Sequence, residues 1–385
     1  MILLFLIILL AIAVFYGILQ TDFSGVIKFF LVVLEMVLVS QFMIRKYKLP
    51  SEMGLVLLKS ERGIKLINEL AQRQKTWEFL SDMGSTLSYG LLSTVLMRKN
   101  TSLPSVAAGI ACMLVITLLV APIAMEFLKA MLTGTPVLEK NQLFQIGDAQ
   151  TMAIIAGAVM LFGGFFLMLL LSILLYGFHI LAQAIQFILT GVNTLASTSP
   201  GGTLLLPGVN LPFFEGILAL IAIMAVHEGS HAVLARIANV KIKSSGVVLF
   251  GIIPIGAFVE PDEKQLERVE AVRQTRVLVA GSTANFVSSI LLFILFVALA
   301  LLLKSGFVGA SGDMAYQAIR FLYITVGLAF SLNFVIATVN LLPLPLFDGY
   351  RVLEINIQNK HVVNAIMFIT LAAFALNFLP YFFAG

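Results

Sequence analysis

The sequence predicts an all-α polytopic membrane protein of about nine transmembrane helices, with eight as the alternative count. Three observations lead there. Of 385 residues, 60% are hydrophobic and 11% charged, about half the charge of an ordinary soluble domain. Apolar runs of the ~20 residues needed to cross a bilayer recur along the chain. Lys and Arg gather in a few connecting segments, as they do in cytoplasmic loops. A chain of this composition cannot hide its apolar surface within itself, so the lipid bilayer is its first partner.

The run 1–19 has no basic segment before it and no small-residue cleavage pattern after it, so it reads as a retained span and not a removed signal peptide. The run 24–43 carries Lys28 and Glu35 seven residues apart on one face, set toward other helices or a water-filled cavity. Segment 44–77 holds eight basic residues between Arg45 and Lys75, with Leu57, Leu58, Ile64, Leu66 and Ile67 among them. It reads as an amphipathic helix on the cytoplasmic surface. Segment 79–97 is short, contains Asp82 and mixes serine and glycine with leucine. Clear spans follow at 105–131, 152–176, 213–237, 275–303, 317–341 and 361–383. Gly163 and Gly164 can break the segment 152–190, and 178–190 can lie along the interface.

Charge decides how 79–97 is read. With the N-terminus in the cytoplasm, counting 79–97 as a crossing puts the second basic segment, 238–276, inside and the segments 177–211 and 305–316, which lack Lys and Arg, outside. Leaving it out reverses both, whereas counting it places only Arg98 and Lys99 against their preference. Segment 198–212 is rich in Pro and Gly and reads as an outside loop. The compact loops point to a prokaryotic cell membrane.

Other classes are excluded. The net charge of +4 comes with no dense basic tract, so nucleic acid is not an expected partner. One cysteine, Cys112, rules out a disulfide within the chain and an all-cysteine metal site. No repeat of solenoid period is present, and no hydrophilic stretch is long enough for an ordinary soluble domain.

Chemistry concentrates in His227-Glu228-Gly229-Ser230-His231. On a helix, positions i and i+4 share a face, so two imidazoles can hold one zinc ion while the intervening glutamate serves as general base. The motif lies inside an apolar run, where three ionisable side chains in one turn are costly. A purely structural polar cluster is the plainer reading. Catalytic zinc keeps three protein ligands and one open position. Among the later acids, those of 260–270 alternate with Lys264 and Arg268 as in a solvated loop, and Asp313 falls on the opposite side. Asp348 is the exception: it follows the span 317–341 in a segment broken by Pro343 and Pro345 and closed by Gly349, on the same side as the histidines. It is the candidate third ligand, with a simple Asp-Gly turn as the plainer reading. One Zn2+ per chain is expected. His179 and His361 read as interfacial or surface residues.

These residues resemble the site-2 protease family of intramembrane zinc metalloproteases. The family pairs an H-E-x-x-H helix with a later N-x-x-P-x-P-x-x-D-G segment, here His227–His231 and Asn340–Gly349. Residues 251–259 are similar to the family's re-entrant β-hairpin, expected near 246–260, and Gly281 with Asn285 fits its G-x-x-x-N pattern. The resemblance is strong over about 210–355 and loose over 1–200; neither a PDZ insertion nor a nucleotide-sensing domain is visible. It implies an accessory transmembrane region 1–200, a catalytic core 205–355 and a C-terminal helix 356–385. It also implies a transmembrane protein as substrate, with Gly256 and Phe258 on an edge strand and Asn340 as substrate-binding residues. A transmembrane helix must unwind before its amides can be attacked, and an edge strand can capture the unwound segment.

Three rival readings remain. A prenyl-protein peptidase would need a later E-x-x-x-D/N motif, but Glu354 is followed four residues on by Gln358. A transporter suits many spans and buried charges, yet no internal repeat is evident. An inactive scaffold is disfavoured by the intact His, Glu, His and Asp set.

Overall fold

The computed structural model of the chain describes residues 2–133 and 149–383, apart from Ser24, Met53, Lys99, Leu204, Leu206, Val209, Ala310 and Ser311. Lys99 and part of the loop 198–212 thus lie outside the described residues. The order is α1 (Ile2–Leu19), α2 (Gly25–Tyr47), β1 (Ser51–Glu52), β2 (Leu55–Lys59), α3 (Glu61–Ala71), α4 (Gln74–Tyr89), α5 (Leu103–Thr133), α6 (Ala149–Thr190) and α7 (Phe213–Ile237). There follow β3 (Ile242–Phe250), β4 (Ile253–Pro261), α8 (Ala271–Lys304), α9 (Met314–Val339), α10 (Asp348–Asn356) and α11 (Lys360–Asn377).

Among the described residues, six helices are long and apolar enough to cross a bilayer: α5, the Ile154–Thr190 part of α6, α7, α8, α9, and α11 extended to Phe382. The shortest has 23 residues and reaches about 35 Å at 1.5 Å per residue, more than the ~30 Å hydrocarbon core. A shorter apolar stretch, Phe5–Ile18, lies within α1.

The segment 79–97 is not a single apolar helix. Helix α4 has 16 residues, about 24 Å, short of the bilayer core. A turn of tighter helix, Gly90–Leu92, and the four residues Ser93–Leu96 follow it. Every residue from Ser81 to Tyr89 is buried, so α4 is a core element wrapped by its neighbours. Its last turn lies against the bend of α6, where Gly164 adopts φ 63°. A Cβ at Gly164 would overlap the Ser88 carbonyl. The break anticipated at Gly163 and Gly164 is therefore a kink at Gly164, and the helix continues through 178–190 to Thr190.

The hairpin after the histidine helix is present and longer than 246–260. Phe250 pairs with Ile253 across the two-residue turn Gly251-Ile252, and Gly251 supplies the positive φ, 61°, that tight hairpin turns need. The hairpin belongs to a four-stranded antiparallel sheet of order β1-β2-β3-β4. Its other two strands come from the segment 44–77, whose expected helix is confined to α3. Val56 pairs with Leu249 and Lys59 with Gly246, so β3 is an inner strand and β4 an outer one. Ile67 of α3 packs with Ala232, Leu234, Val240 and Ile242, seating α3 on α7 and the sheet. Ser40 of α2 accepts the Gly251 N–H at 2.7 Å and fixes the hairpin turn.

Helices α4, α7 and α9 surround α8. Phe127, Phe286, Phe296 and Phe330 form the aromatic centre of the larger core. At the other end of α8, Arg276 makes a bidentate pair with Asp82 of α4, 2.8 and 2.9 Å, while the Ser81 hydroxyl donates to the Arg276 carbonyl at 3.0 Å. The two side chains are only 15% and 9% exposed. Removing one partner strands a buried charge, so Asp82→Ala is expected to cost about 3–5 kcal/mol of stability. Asp82→Leu with Arg276→Leu should recover most of it. Unfolding midpoints of the detergent-solubilised proteins test this, and equal losses in the single and double variants would refute it.

Candidate functional site

Helix α7 starts after Pro212, carries Glu215 in its first turn, and ends where Asn239 adopts φ 64°, a left-handed residue of the kind that terminates helices. Within it His227 and His231 stand one turn apart, with ring centroids 4.7 Å from each other and planes at 78°. Glu228 is half-buried and turns into the same cavity.

The third group arrives on the chain after α9. Asn340 ends that helix, and the segment through Pro343 and Pro345 folds back so that the Gly349 N–H reaches the Asn340 carbonyl at 2.8 Å. Gly349 packs against the Leu341 carbonyl so closely that any Cβ would overlap it, which is why glycine follows the aspartate. Asp348 opens α10, where a carboxylate suits the helix N-terminus. The far end of α10 is tied to α8 by the Asn356 amide donating to the Thr275 hydroxyl at 2.9 Å.

Three atoms converge. His227 Nε2 and His231 Nε2 are 3.1 Å apart, and Asp348 Oδ2 lies 3.4 Å from the first and 3.2 Å from the second. Ligands about 2.0–2.1 Å from a tetrahedral zinc are separated by roughly 3.3 Å, so these spacings match three corners of one tetrahedron. Hydrogen bonding points the same way. The His231 Nδ1–H donates to the Val277 carbonyl at 2.7 Å, which leaves Nε2 of the neutral ring as a lone pair facing the carboxylate and the other imidazole. Lone pairs so directed repel one another unless a proton or a metal cation lies between them. The charges agree, because three carboxylates, Glu228, Glu263 and Asp348, line the cavity with one arginine, Arg351, and carboxylates within a membrane protein need compensation. Among the described residues this is the one group of three or more side chains able to hold a metal ion.

Helix α8 comes close enough to supply the Val277 carbonyl because residue 281 is glycine. A Cβ there would overlap both His227 and His231. Asn285, one turn further, sits 3.1 Å from His227 Nδ1. The Asn340 side-chain nitrogen lies 3.3 Å from His227 Nε2, beside the three converging atoms.

The cavity has a volume of about 420 Å³ and is bordered by Met224, Glu228, Asn340, Leu346 and, from β4, Val259 and Pro261. Leu346, at 91% exposure, stands at its mouth. Gly256 packs on Met224 and Phe258 pairs with Gly246; both lie on β4 nearer its turn and do not line the cavity. A second pocket of about 190 Å³, beyond Val226 and Ser230 on another face of α7, has no titratable lining. His179 is hydrogen-bonded to Gln183 and His361 is exposed at the start of α11. Sequence reasoning missed the Val277 carbonyl and Arg351. A backbone carbonyl leaves no mark in a sequence, and one arginine in a polar turn looks like any surface cation.

The fold and site define a polytopic membrane protein whose His-Glu-x-x-His helix faces the Asp348 carboxylate. Residues 215–379 match the model of Peptidase family M50, the site-2 protease family. An uncharacterized protein of Methanocaldococcus jannaschii is 30% identical over 154 residues, which are 40% of this chain and 38% of that protein. The chain thus matches about two fifths of the length of this relative. No solved structure matches.

The site's dependence on close packing is testable. Gly281→Ala is expected to weaken zinc binding by at least about 10–100-fold, the effect of disturbing outer-shell support. Chelator competition on the purified protein measures it; unchanged affinity would show that α8 does not need to approach the histidines this closely.

Proposed function

We propose that the chain is a zinc metalloendopeptidase that hydrolyses a peptide bond in a transmembrane segment of membrane-anchored protein substrates. The observation carrying this reading is the convergence of His227, His231 and Asp348 beside Glu228, in a cavity bordered by the outer strand β4. Zinc held there would polarise a carbonyl and bring the pKa of a water toward neutrality. Glu228 takes the proton of the attacking water as its oxygen bonds to the carbonyl carbon, then passes that proton to the nitrogen as the C–N bond breaks. Asn340 donates from its amide to the substrate carbonyl. The unwound substrate adds to β4 along the stretch carrying Gly256 and Phe258, so that its amides are paired while outside their own helix.

In this reading α1, α2 and the region of α4 join the six long helices to make nine crossings. The basic segments and the site then face the cytoplasm, in a prokaryotic cell membrane.

The test is purification in detergent, zinc quantification, and cleavage of a fused transmembrane substrate. Wild type is expected to hold about one zinc per chain and to cut. Glu228→Gln should keep zinc and lose about 10²–10⁴-fold in rate, and Asp348→Ala should lose both zinc and cutting. Absence of zinc, or normal cutting by Glu228→Gln, would overturn the reading in favour of a transporter or a scaffold.

A further inference from the structure

Asn285 is fully buried on α8 and its side chain touches His227 Nδ1 at 3.1 Å. Resting on the zinc reading above, we infer that Asn285 is a positioning residue for the metal. Its side-chain oxygen accepts the His227 Nδ1–H and thereby holds the ring with Nε2 bare and directed at His231 and Asp348.

Three observations carry this. The first is the direction of His227. Its Nε2 lies 3.1 and 3.4 Å from two other ligand atoms, so that nitrogen is the one able to bind a cation. A neutral imidazole with a bare Nε2 carries its hydrogen on Nδ1. The group facing Nδ1 must then be an acceptor.

The second is an orphan atom. The Asn285 nitrogen is the end placed toward Nδ1, and its oxygen is buried without a hydrogen-bond partner. The two ends of an amide have nearly the same shape, and the hydrogen-bond network decides which is which. With a hydrogen on Nδ1, a nitrogen opposite it makes a donor–donor contact. Turning the amide by half a revolution replaces that contact with a bond and gives the oxygen its partner. The amide nitrogen then needs an acceptor of its own; Ser282 Oγ on α8 and Asn333 Oδ1 on α9 are buried oxygens without partners.

The third is the parallel with His231, whose Nδ1–H already donates to the Val277 carbonyl of the same helix. Helix α8 thus serves both rings with acceptors eight residues apart, Val277 and Asn285, on either side of the bare Gly281. Outer acceptors of this kind orient metal-binding imidazoles and raise their basicity.

Asn285→Asp separates an accepting role from a donating or a structural one, because a carboxylate accepts and cannot donate. Zinc affinity is measured by chelator competition on the full-length detergent-purified protein, beside the thermal stability of each metal-free variant. Asn285→Ala is expected to bind zinc about 10–100-fold more weakly. Asn285→Asp should bind within a few-fold of wild type or more tightly, at whatever stability the metal-free protein shows. Aspartate binding as weakly as alanine, or alanine binding as tightly as wild type, would overturn the inference. Should Asn285→Ala not fold, the aspartate variant alone decides, since a donating amide predicts its loss of affinity. Wild type without zinc would instead refute the function on which this inference rests.

Discussion

Four side chains that carry charge or metal-binding lone pairs are crowded into one turn of α7 and the loop that faces it, and this crowding governs the arrangement around them. Lone pairs at 3.1–3.4 Å and two carboxylates repel one another unless a proton or a metal cation lies between them. The neighbouring elements hold these atoms against their mutual repulsion. Helix α8 takes the His231 Nδ1–H through a backbone carbonyl. The broken segment 340–349 is closed by a bond from Gly349 to Asn340. Helix α10 is anchored at its far end on Thr275. The first constraint acts on His231 and the other two on Asp348, and each passes through α8 or the turn after α9.

The hairpin obeys a second constraint, since an outer strand is useful beside the site only if its position is set. Strand β3 is paired on both sides, by β2 and by β4, so the edge left open toward the histidine helix is that of β4. Its turn is held by the Ser40 hydroxyl, and Gly256 rests on Met224, one turn before His227. Strand and metal-binding helix are thus in register. Only the last part of β4, through Val259 and Pro261, reaches the cavity wall.

How much of this the sequence discloses depends on the range of the interactions. The pair His227 and His231 is legible because helical periodicity alone brings them together, and Asp348 because a lone carboxylate between prolines and glycine has few other uses. The hairpin is legible through resemblance alone. Strand β2 is not: Leu57 and Leu58 among charges read equally well as a surface helix, and pairing with β3 across nearly 190 residues is a tertiary choice. The burial of α4 is hidden for a similar reason. Its serines and Asp82 weaken it as a lipid-facing span, yet what they bond to, Arg276 and its carbonyl, lies far along the chain. The role of Val277 rests on its backbone and has no residue signature.

These long-range contacts bear on where the site's frame ends. Every ligand atom lies within the matched region 215–379. The frame extends beyond it. Asp82 and Ser81 hold Arg276, the residue next to the carbonyl that orients His231. Strand β2 pairs with β3, the neighbour of the strand that borders the cavity, and α2 holds the hairpin turn. A helix in a bilayer gains little from hydrophobic exclusion against its neighbours, because lipid tails are as apolar as leucine. Its alignment comes from close packing and polar contacts, and here several of those contacts originate in the first hundred residues. That region is therefore part of the structure that holds His227, His231 and Asp348 in place, even where its sequence resembles the family only loosely.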